Sequence, residues 1–205
     1  MSLDFIRGNF MQEYNYEELL KFREKRKYEL HDGKIFFMAV PTRRHSEIVA
    51  NLLTIFRNYI KGGKCRVYGE NMNVIFEKGE RQFLPDIKVV CNPDIIKDDG
   101  IYGAPDLIVE ILSPATDVID LGYKKDVYEE NGVQEYWIIS PEAKSITVYL
   151  LKDGRYRLDD VYRDLDDDVY ESLDDEEKEN IKFEFKTSLY DDLIINVKDV
   201  FENVD

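Results

Sequence analysis

The sequence contains little cysteine and no long apolar run. Two cysteines, Cys65 and Cys91, are too few for a framework of disulfide bonds or for a cysteine-ligated zinc site. No apolar run approaches the roughly 20 residues that a membrane-spanning helix requires. The N-terminus also lacks a basic region followed by an apolar one, which is the pattern of a secretory signal. We therefore expect a cytoplasmic protein that does not associate with a membrane.

Positive charge is also scarce. The chain has 28 lysines and arginines against 43 aspartates and glutamates, so its formal net charge is -15. This charge argues against a surface that is generally coated by nucleic acid. A local basic groove stays compatible with it, because many acidic residues cluster between Asp159 and Glu179. We interpret that segment as a solvated loop or an exposed helix face. As a calcium-binding loop it would lack a well-spaced glycine and a terminal glutamate.

The length and the apolar content predict one folded domain. With 205 residues, of which 43% are hydrophobic and 13% aromatic, the chain can bury a core of ordinary size. The sequence contains no internal repeats. We therefore assign residues 1–205 to a single domain, with an acidic insertion or loop at about 159–180.

Apolar periodicity and turn residues predict alternating strands and helices. A first helix is predicted over 15–26, with Asn15 as its cap and Glu18 in capping-box position. Further predicted elements are helices at 42–61 and 116–130, hairpins at 28–38 and 146–158, and strands at 65–76, 83–91, 106–112, 135–139 and 193–197. The strand–helix–strand succession across 106–139 implies a parallel strand pair and hence a layered α/β fold.

Two acidic residues interrupt strands that are otherwise apolar. Glu110 lies within the predicted strand 106–112, and Asp86 lies within 83–91. Buried carboxylates are rare unless they are paired or bind a cation. If the two strands are adjacent, we expect the carboxylates within about 5 Å of each other, where they can bind one hard cation such as Mg²⁺. The alternative is that each acid pairs with a basic side chain inside the fold.

The helix that follows Glu110 offers a positive group. Asp120, Lys124 and Tyr128 are spaced four residues apart and therefore share one helix face. From that face Lys124 would reach the carboxylates, where it would orient water or neutralise a phosphate. The alternative is an ordinary ion pair between Lys124 and Asp120.

Four segments of the chain resemble one known family. The segment PDLIVEILSPATDVIDLGYKKDVYEENGVQEYWIISP resembles the signature of the Uma-two family of restriction-endonuclease-like proteins, in the PD-(D/E)XK nuclease superfamily. YELHDGKIFFMAVPTRRHSEI, FLPDIKVV and LYDDLIINVKDVF resemble its N-terminal, middle and C-terminal blocks. The resemblance implies an α/β fold with a restriction-endonuclease-like mixed central sheet flanked by helices. It also implies a metal site of an aspartate and a glutamate on adjacent strands, with a lysine nearby.

Position by position, the resemblance assigns the motif aspartate to Asp86 and the motif glutamate to Glu110. The superfamily's lysine would stand two residues after the glutamate, where this chain has Leu112. In the Uma-two lineage the lysine is displaced onto the following helix, which implies Lys124. Lys88, on the same strand face as Asp86, is a competing candidate.

Other polar residues are candidates for an extended site. The literal proline–aspartate pair at 105–106 is too far along the strand from Glu110 to share one ion with it. Glu29 and His45 match the family's N-terminal block, as an auxiliary acid and a polar group at the start of the long helix. A helix N-terminus favours phosphate, and Arg43 and Arg44 would reinforce it there. The alternatives are a structural role for Glu29 and a helix-capping or surface role for His45.

The leading hypothesis is a Mg²⁺-dependent endonuclease, with Mn²⁺ as a second candidate metal, that hydrolyses DNA phosphodiester bonds. A homodimer would cleave DNA in spite of the net charge if each groove gathers basic residues, namely Arg43, Arg44, Lys124 and Lys125. One alternative is a nuclease-like protein without catalysis that binds nucleic acid or regulates a partner. Another is a metal-dependent hydrolase of a different phosphate ester.

Overall fold

The described part of the chain comprises residues 27–76, 80–113 and 117–205 of a computed structural model. The predicted helix over 15–26, with its cap, lies outside these residues. Within them, no helix is long and apolar enough to span a membrane.

Fourteen strands form in the described ranges. They are β1 (Tyr28–His31), β2 (Lys34–Phe37), β3 (Arg66–Gly69), β4 (Val74–Phe76), β5 (Arg81–Phe83), β6 (Ile87–Val90), β7 (Ile96–Lys97), β8 (Gly100–Tyr102), β9 (Leu107–Ile111), β10 (Glu135–Ser140), β11 (Ser145–Lys152), β12 (Arg155–Arg163), β13 (Glu184–Lys186) and β14 (Ile194–Asn196). The hairpins β1–β2 and β11–β12 turn at Asp32–Gly33 and Asp153–Gly154, as the sequence predicts. Both turns need positive φ angles, which glycine and aspartate tolerate.

The helices follow the predicted pattern, with one irregularity. They are α1 (Arg43–Ile60), α2 in three consecutive segments (Asp117–Ile119, Asp120–Lys124 and Lys125–Glu130), α3 (Asp167–Ser172), α4 (Asp175–Asn180) and α5 (Val197–Val200). A short 3₁₀-helix also spans Pro93–Ile95. The middle segment of α2 is a π-helix. The hydroxyl of Thr42 caps α1 by accepting a hydrogen bond from the N–H of His45 at 3.2 Å.

The strands form two sheets of six and one pair. The first sheet has the order β12-β11-β10-β9-β6-β3, and its β9–β10 pair is parallel, as the succession through α2 predicts. The second sheet has the order β2-β1-β5-β4-β8-β7, and β13 pairs with β14. The sequence predicts one central sheet, whereas the described strands divide between two six-stranded sheets and one pair. Pro85 separates β5 from β6, because proline has no N–H for the ladder and marks the point where the chain changes sheets.

Apolar layers cover both faces of the first sheet. Helix α1 and the C-terminal elements pack on one face through residues that include Ile48, Leu52 and Phe56, while α2 and the second sheet pack on the other. Side chains alternate along β9, so Val109 faces the α1 layer and Ile108 faces the α2 layer. Glu110 shares the face of Ile108, and this places its carboxylate under α2.

Two sequence interpretations are refined by the structure. Cys65 and Cys91 form one disulfide bond, which joins the segment before β3 to the residue after β6. Two cysteines are thus too few for a framework but sufficient for a single cross-link. The acidic segment continues β12 to Arg163 and then forms the short exposed helices α3 and α4, the second of which begins with a capping box at Asp174.

Candidate metal and catalytic site

Asp86 occupies the point where β6 begins beside β9. Ile87 pairs with Val109 in the antiparallel ladder, so Asp86 and Glu110 are the next residues along the two strands. The side chain of Asp86 continues the ladder in place of the backbone, because its Oδ2 accepts a hydrogen bond from the N–H of Ile111 at 2.7 Å. This hydrogen bond fixes the Asp86 side chain, and only 6% of the residue's surface is exposed.

Glu110 receives two donors from helix α2. The hydroxyl of Tyr128 donates to Glu110 Oε1 at 2.8 Å, and Lys124 Nζ lies 3.1 Å from the same oxygen. Among the described residues, both of these contacts end on Oε1, so Oε2 is the oxygen that can bind a cation. The predicted helix face of Asp120, Lys124 and Tyr128 therefore points at Glu110.

Lys124 is surrounded by three carboxylates. Its Nζ lies 3.0 Å from Glu29 Oε1, 3.1 Å from Glu110 Oε1 and 3.1 Å from Asp120 Oδ1. Only 3% of the residue is exposed. The proposed ion pair with Asp120 and the proposed contact with the acidic strand residue thus exist together. Asp120 and Lys124 are the first and last residues of the π-helical segment of α2, and such segments are frequent at functional sites.

Burial and charge set the pKa values of this cluster in opposite directions. Burial raises the pKa of Glu110 well above its ordinary value, and the neighbouring carboxylates add to this rise while Lys124 opposes it. Burial would also raise the pKa of Glu29, but the Lys124 charge and hydrogen bonds from His31 and the Leu84 N–H lower it to about 2. Burial would lower the pKa of Lys124, but the three carboxylates raise it well above the ordinary value. The cluster therefore holds a firmly charged ammonium beside a firmly charged Glu29.

Glu29 is itself fixed from two sides. Its Oε1 accepts a hydrogen bond from the N–H of Leu84 at 3.0 Å, and its Oε2 lies 2.9 Å from His31 Nε2. The His31 ring stacks on Phe36 with a centroid separation of 4.3 Å. Glu29 therefore connects the second sheet to Lys124, a position that serves the fold as well as the site.

His45 lies between two further carboxylates. Its Nε2 is 3.0 Å from Asp86 Oδ1, and its Nδ1 is 3.5 Å from Glu70 Oε1. Glu70 follows β3 directly, and its Oε2 is 2.8 Å from Lys27 Nζ. Burial would lower the pKa of His45, but the hydrogen bond and charge of Asp86 and the charge of Glu70 raise it.

Lys88, the competing lysine, is directed elsewhere. It is fully buried, and its Nζ donates to the carbonyl of Pro85 at 2.6 Å. Burial lowers the pKa of Lys88 to about 7, against the opposing charges of Glu110 and Asp86. The ammonium that contacts Glu110 is that of Lys124, and Lys88 fixes the turn before Asp86.

The two arginines at the start of α1 contact the C-terminal segment. Arg43 donates to the carbonyls of Asn203 and Asp205, and Arg44 donates to the carbonyl of Asp205 at 3.1 Å. Neither lines the cleft that contains the acidic residues. Lys125 lies over the ring of Tyr149 at 4.7 Å. Of the described basic residues, Lys124 and Lys27 line the cleft wall, and the other residues of the predicted basic groove do not.

The proposed site residues open into one cleft of about 100 Å³. Its wall contains the charged residues Lys27, His45, Glu70, Asp86, Glu110, Asp120, Lys124 and Glu142. A larger and more open hollow of about 480 Å³ also contacts Glu70, which is the only charged residue among the described residues of its wall. The smaller cleft is the candidate site, because its side chains carry the titratable groups.

The residues of the cleft fit a divalent cation. Asp86 and Glu110 supply buried carboxylate oxygens, which are the ligands that Mg²⁺ and Mn²⁺ accept. Within the described residues, His45, Glu70 and Asp86 form one group of potential ligands, with one ligand atom from each lying within 4.8 Å of the others. Glu110 lines the same cleft, next to Asp86 on the neighbouring strand.

Sequence reasoning did not identify Glu70. It is one of 43 acidic residues and follows a short strand, so nothing in its local pattern separates it from a solvated loop residue. Only the pairing of β3 with β6 brings it near Asp86. By contrast, Asp106 is outside the cleft, as the distance along the strand predicts, and its Oδ2 accepts a hydrogen bond from the N–H of Cys91 at 2.6 Å.

Comparisons with known proteins agree with this architecture. A solved structure, described as "a putative nuclease belonging to DUF820" from Anabaena variabilis, aligns with a TM-score of 0.68 at 23% identity and covers 92% of this chain and 97% of that chain. This likeness confirms the predicted α/β fold with mixed sheets flanked by helices.

Sequence comparisons extend the agreement to the family. The uncharacterized protein slr1290 of Synechocystis is 32% identical over 140 residues, which are 67% of this chain and 74% of that protein. Residues 12–175 match the Uma2 family, described as "Putative restriction endonuclease". The match includes the strands of Asp86 and Glu110 and the helix of Lys124. The resemblance inferred from the sequence is confirmed, and the chain belongs to the Uma2 family.

Proposed function

We propose that the protein is a metal-dependent endonuclease that hydrolyses phosphodiester bonds of DNA. The observation that carries the proposal is the meeting of Asp86, Glu110 and Lys124 at one buried cleft. Two acids from adjacent strands and a lysine from the next helix are the groups that such a hydrolysis needs. Membership of a family described as restriction endonucleases supports the same reaction class.

Asp86 and Glu110 would hold the metal, Mg²⁺ or Mn²⁺, each through one carboxylate oxygen. When bound, the metal supplies Lewis-acid stabilisation of the phosphate and lowers the pKa of a bound water. The chain's own contribution is positional. The Ile111 N–H and His45 fix Asp86, while Tyr128 and Lys124 fix Glu110.

Besides fixing Glu110, Lys124 would stabilise the negative charge of the phosphate. Its ammonium is held at three carboxylates, and its pKa is raised well above the ordinary value, so it stays charged throughout the neutral range. A fixed positive charge at the cleft stabilises the charge that develops on a phosphodiester. Glu29 and Asp120 would hold the ammonium in place, which is a positioning role.

A second candidate function is a nuclease-like fold that binds nucleic acid or a partner without cleaving. The observation that favours it is the electrostatic state of the site. Lys124 is already engaged by three carboxylates, Arg43 and Arg44 contact the C-terminal segment, and the formal net charge is -15. Such a protein would bind no divalent cation at Asp86 and Glu110. Calorimetric titration of wild type and Glu110→Ala with Mn²⁺ and Mg²⁺ separates the two functions.

The test of the proposed activity is a cleavage assay with a matched control. Supercoiled DNA, linear and single-stranded DNA, RNA and a simple phosphate ester are incubated with wild type in Mg²⁺ and in Mn²⁺. Glu110→Gln and Lys124→Met should each lower the rate by about 100-fold or more, since loss of an outer-shell partner alone typically costs 10- to 100-fold. Glu135→Gln is the control. Glu135 is also a fully buried acid, but it accepts hydrogen bonds from Ser188 and Trp137 outside the cleft.

The outcomes decide between the candidates. Cleavage of DNA that requires a metal, is lost in Glu110→Gln and persists in Glu135→Gln supports the endonuclease. Cleavage of the simple ester alone assigns the protein to another class of phosphate ester hydrolase. Absence of cleavage together with absence of metal binding would favour the protein without catalysis. Light scattering of the same samples tests the expected homodimer.

A further inference from the structure

We propose that His45, Glu70 and Asp86 form a divalent-cation site with mixed nitrogen and oxygen ligands, which makes the cleft prefer Mn²⁺ to Mg²⁺. The inference deepens the proposed function and rests on it only for the use of the cation in hydrolysis. Binding of the cation requires no nuclease activity. It adds two ligands, His45 and Glu70, to the pair of acids described above.

The three residues come from three separate parts of the fold. His45 is in the first turn of α1, Glu70 follows β3 and Asp86 precedes β6. One ligand atom from each lies within 4.8 Å of the others. Around a cation with ligands at about 2.1 Å, neighbouring ligands are about 3 Å apart and opposite ligands about 4.2 Å apart. His45 Nδ1 and Glu70 Oε1 are 3.5 Å apart, which lies between these two separations, so a small shift of the side chains completes the set.

A second observation points to a missing ligand. His45 is 9% exposed, and its buried Nδ1 has no hydrogen-bond partner within the described part of the chain. Glu70 Oε1, which is an acceptor, lies 3.5 Å from this nitrogen. Buried ring nitrogens are normally satisfied, so this one marks a position for a further group. Glu70 is suited to bind the same cation, because its Oε2 contacts Lys27 while its Oε1 faces the His45 ring.

The donor chemistry sets the preference among cations. Two carboxylates balance a double positive charge, and one imidazole nitrogen adds a ligand that first-row transition ions accept readily. Mg²⁺ prefers oxygen ligands and gives up its bound water reluctantly. A site made by Asp86 and Glu110 would offer oxygen ligands alone, so it would lack the nitrogen ligand that distinguishes Mn²⁺ from Mg²⁺. We therefore expect Mn²⁺ to bind at least about 10-fold more tightly than Mg²⁺.

Pulsed electron paramagnetic resonance of bound Mn²⁺ tests the nitrogen ligand directly. The chain has two histidines, His31 and His45, so a coupling of Mn²⁺ to a ring nitrogen has two sources. We expect the coupling in wild type, its loss in His45→Gln and its persistence in His31→Gln. His31 is the matched control because it is also buried and also contacts a carboxylate, that of Glu29. A coupling that survives His45→Gln, or none in wild type loaded with Mn²⁺, would overturn the inference.

Calorimetry on the full chain tests the carboxylate and the preference. Glu70→Gln should weaken the binding of both ions by about 10-fold or more, because a carboxylate is a ligand to either. His45→Gln should weaken Mn²⁺ binding by about 10-fold or more but Mg²⁺ binding by less than about 3-fold. Glu142→Gln is the control, since Glu142 is an exposed acid on the same cleft wall. It should change neither constant. The Glu70 variant also keeps the test decisive if melting curves show that His45→Gln does not fold.

The inference and the proposed function fail in different ways. If Mn²⁺ binding depends on Glu110 but on neither His45 nor Glu70, the mixed site is refuted while metal-dependent cleavage can stand. If the nitrogen coupling and the Glu70 dependence are found but no nucleic acid is cleaved, the mixed site is supported and the endonuclease is refuted.

Discussion

Between pH 7 and pH 3, the free energy of unfolding of the wild-type protein should fall by about 2 kcal/mol more than that of the Glu29→Gln variant. Glu29 is buried, and its Oε1 lies 3.0 Å from the Lys124 ammonium. Burial opposes its ionisation, but Lys124 and hydrogen bonds from His31 and the Leu84 N–H outweigh burial and lower its pKa from 4.5 to about 2. Ionisation of Glu29 is therefore coupled to folding.

The sign and the magnitude follow from linkage. A carboxylate with a lowered pKa in the folded state stabilises that state above its unfolded pKa, and this contribution is lost as the pH falls towards the folded pKa. With an unfolded value of 4.5 and a folded value of about 2, Glu29 contributes about 3 kcal/mol at pH 7 and about 1 kcal/mol at pH 3. The difference, about 2 kcal/mol, is the pH-dependent part of the stabilisation by Glu29, and a glutamine at this position cannot supply it.

Urea unfolding at pH 7, 5, 4 and 3 measures this difference. The chain has one tryptophan, Trp137, which is fully buried on β10, so its fluorescence reports global unfolding. We expect the gap between wild type and Glu29→Gln to narrow by about 2 kcal/mol between pH 7 and pH 3. Glu171→Gln, at an exposed position, is the control and should keep a constant gap. An equal gap for Glu29→Gln at every pH would refute the coupling between Glu29 and Lys124.

Three further predictions concern the same cleft and the cross-link below it. Lys124→Met should lower the free energy of unfolding by about 3–5 kcal/mol, because it leaves buried carboxylates without their cation. The added change Glu110→Gln should restore part of this loss in urea unfolding, and a double variant no more stable than Lys124→Met would contradict the pairing. Asp86→Asn should abolish the rise in melting temperature that millimolar Mn²⁺ gives wild type. Equal rises in both proteins would place the ion elsewhere, for example in the acidic segment. Reduction of the Cys65–Cys91 bond, which closes a separation of 26 residues, should cost about 3.5 kcal/mol in urea unfolding. A reductant that destabilises a Cys65→Ala/Cys91→Ala variant equally would exclude the cross-link as the cause.

The elements that could be predicted from sequence are those with strong local signals. The long helix α1 has a capping threonine and an apolar face of regular period, and the hairpin β1–β2 turns at an aspartate–glycine pair. Glu110 was identifiable because a charge in an apolar strand conflicts with burial. Lys124 was identifiable because its helical spacing from Asp120 and Tyr128 agrees with the family pattern. In each case the information lies within about ten residues of sequence.

The features that could not be predicted depend on pairing between distant segments. The division of the strands between two sheets is decided by ladder partners, and the short strands β4, β5 and β8 carry too little pattern to identify theirs. Glu70 approaches Asp86 only because β3 pairs with β6. Arg43 and Arg44 were expected to face a phosphate, but the C-terminal carbonyls that they contact are about 160 residues away in sequence. No local rule anticipates such partners.

The charge of the cleft bears on the order of events in the proposed reaction. Five carboxyl groups meet around the cleft against two ammonium groups, those of Lys124 and Lys27, and one imidazole. The carboxyl groups belong to Glu29, Glu70, Asp86, Glu110 and Asp120. A phosphodiester brought into this field without a cation would meet net repulsion. A divalent cation reverses that balance locally, and it also lowers the pKa of an adjacent carboxyl such as Glu110, whose burial otherwise favours the protonated form. On the proposed function, the cation must therefore bind before the nucleic acid, and its binding should release protons and strengthen as the pH rises.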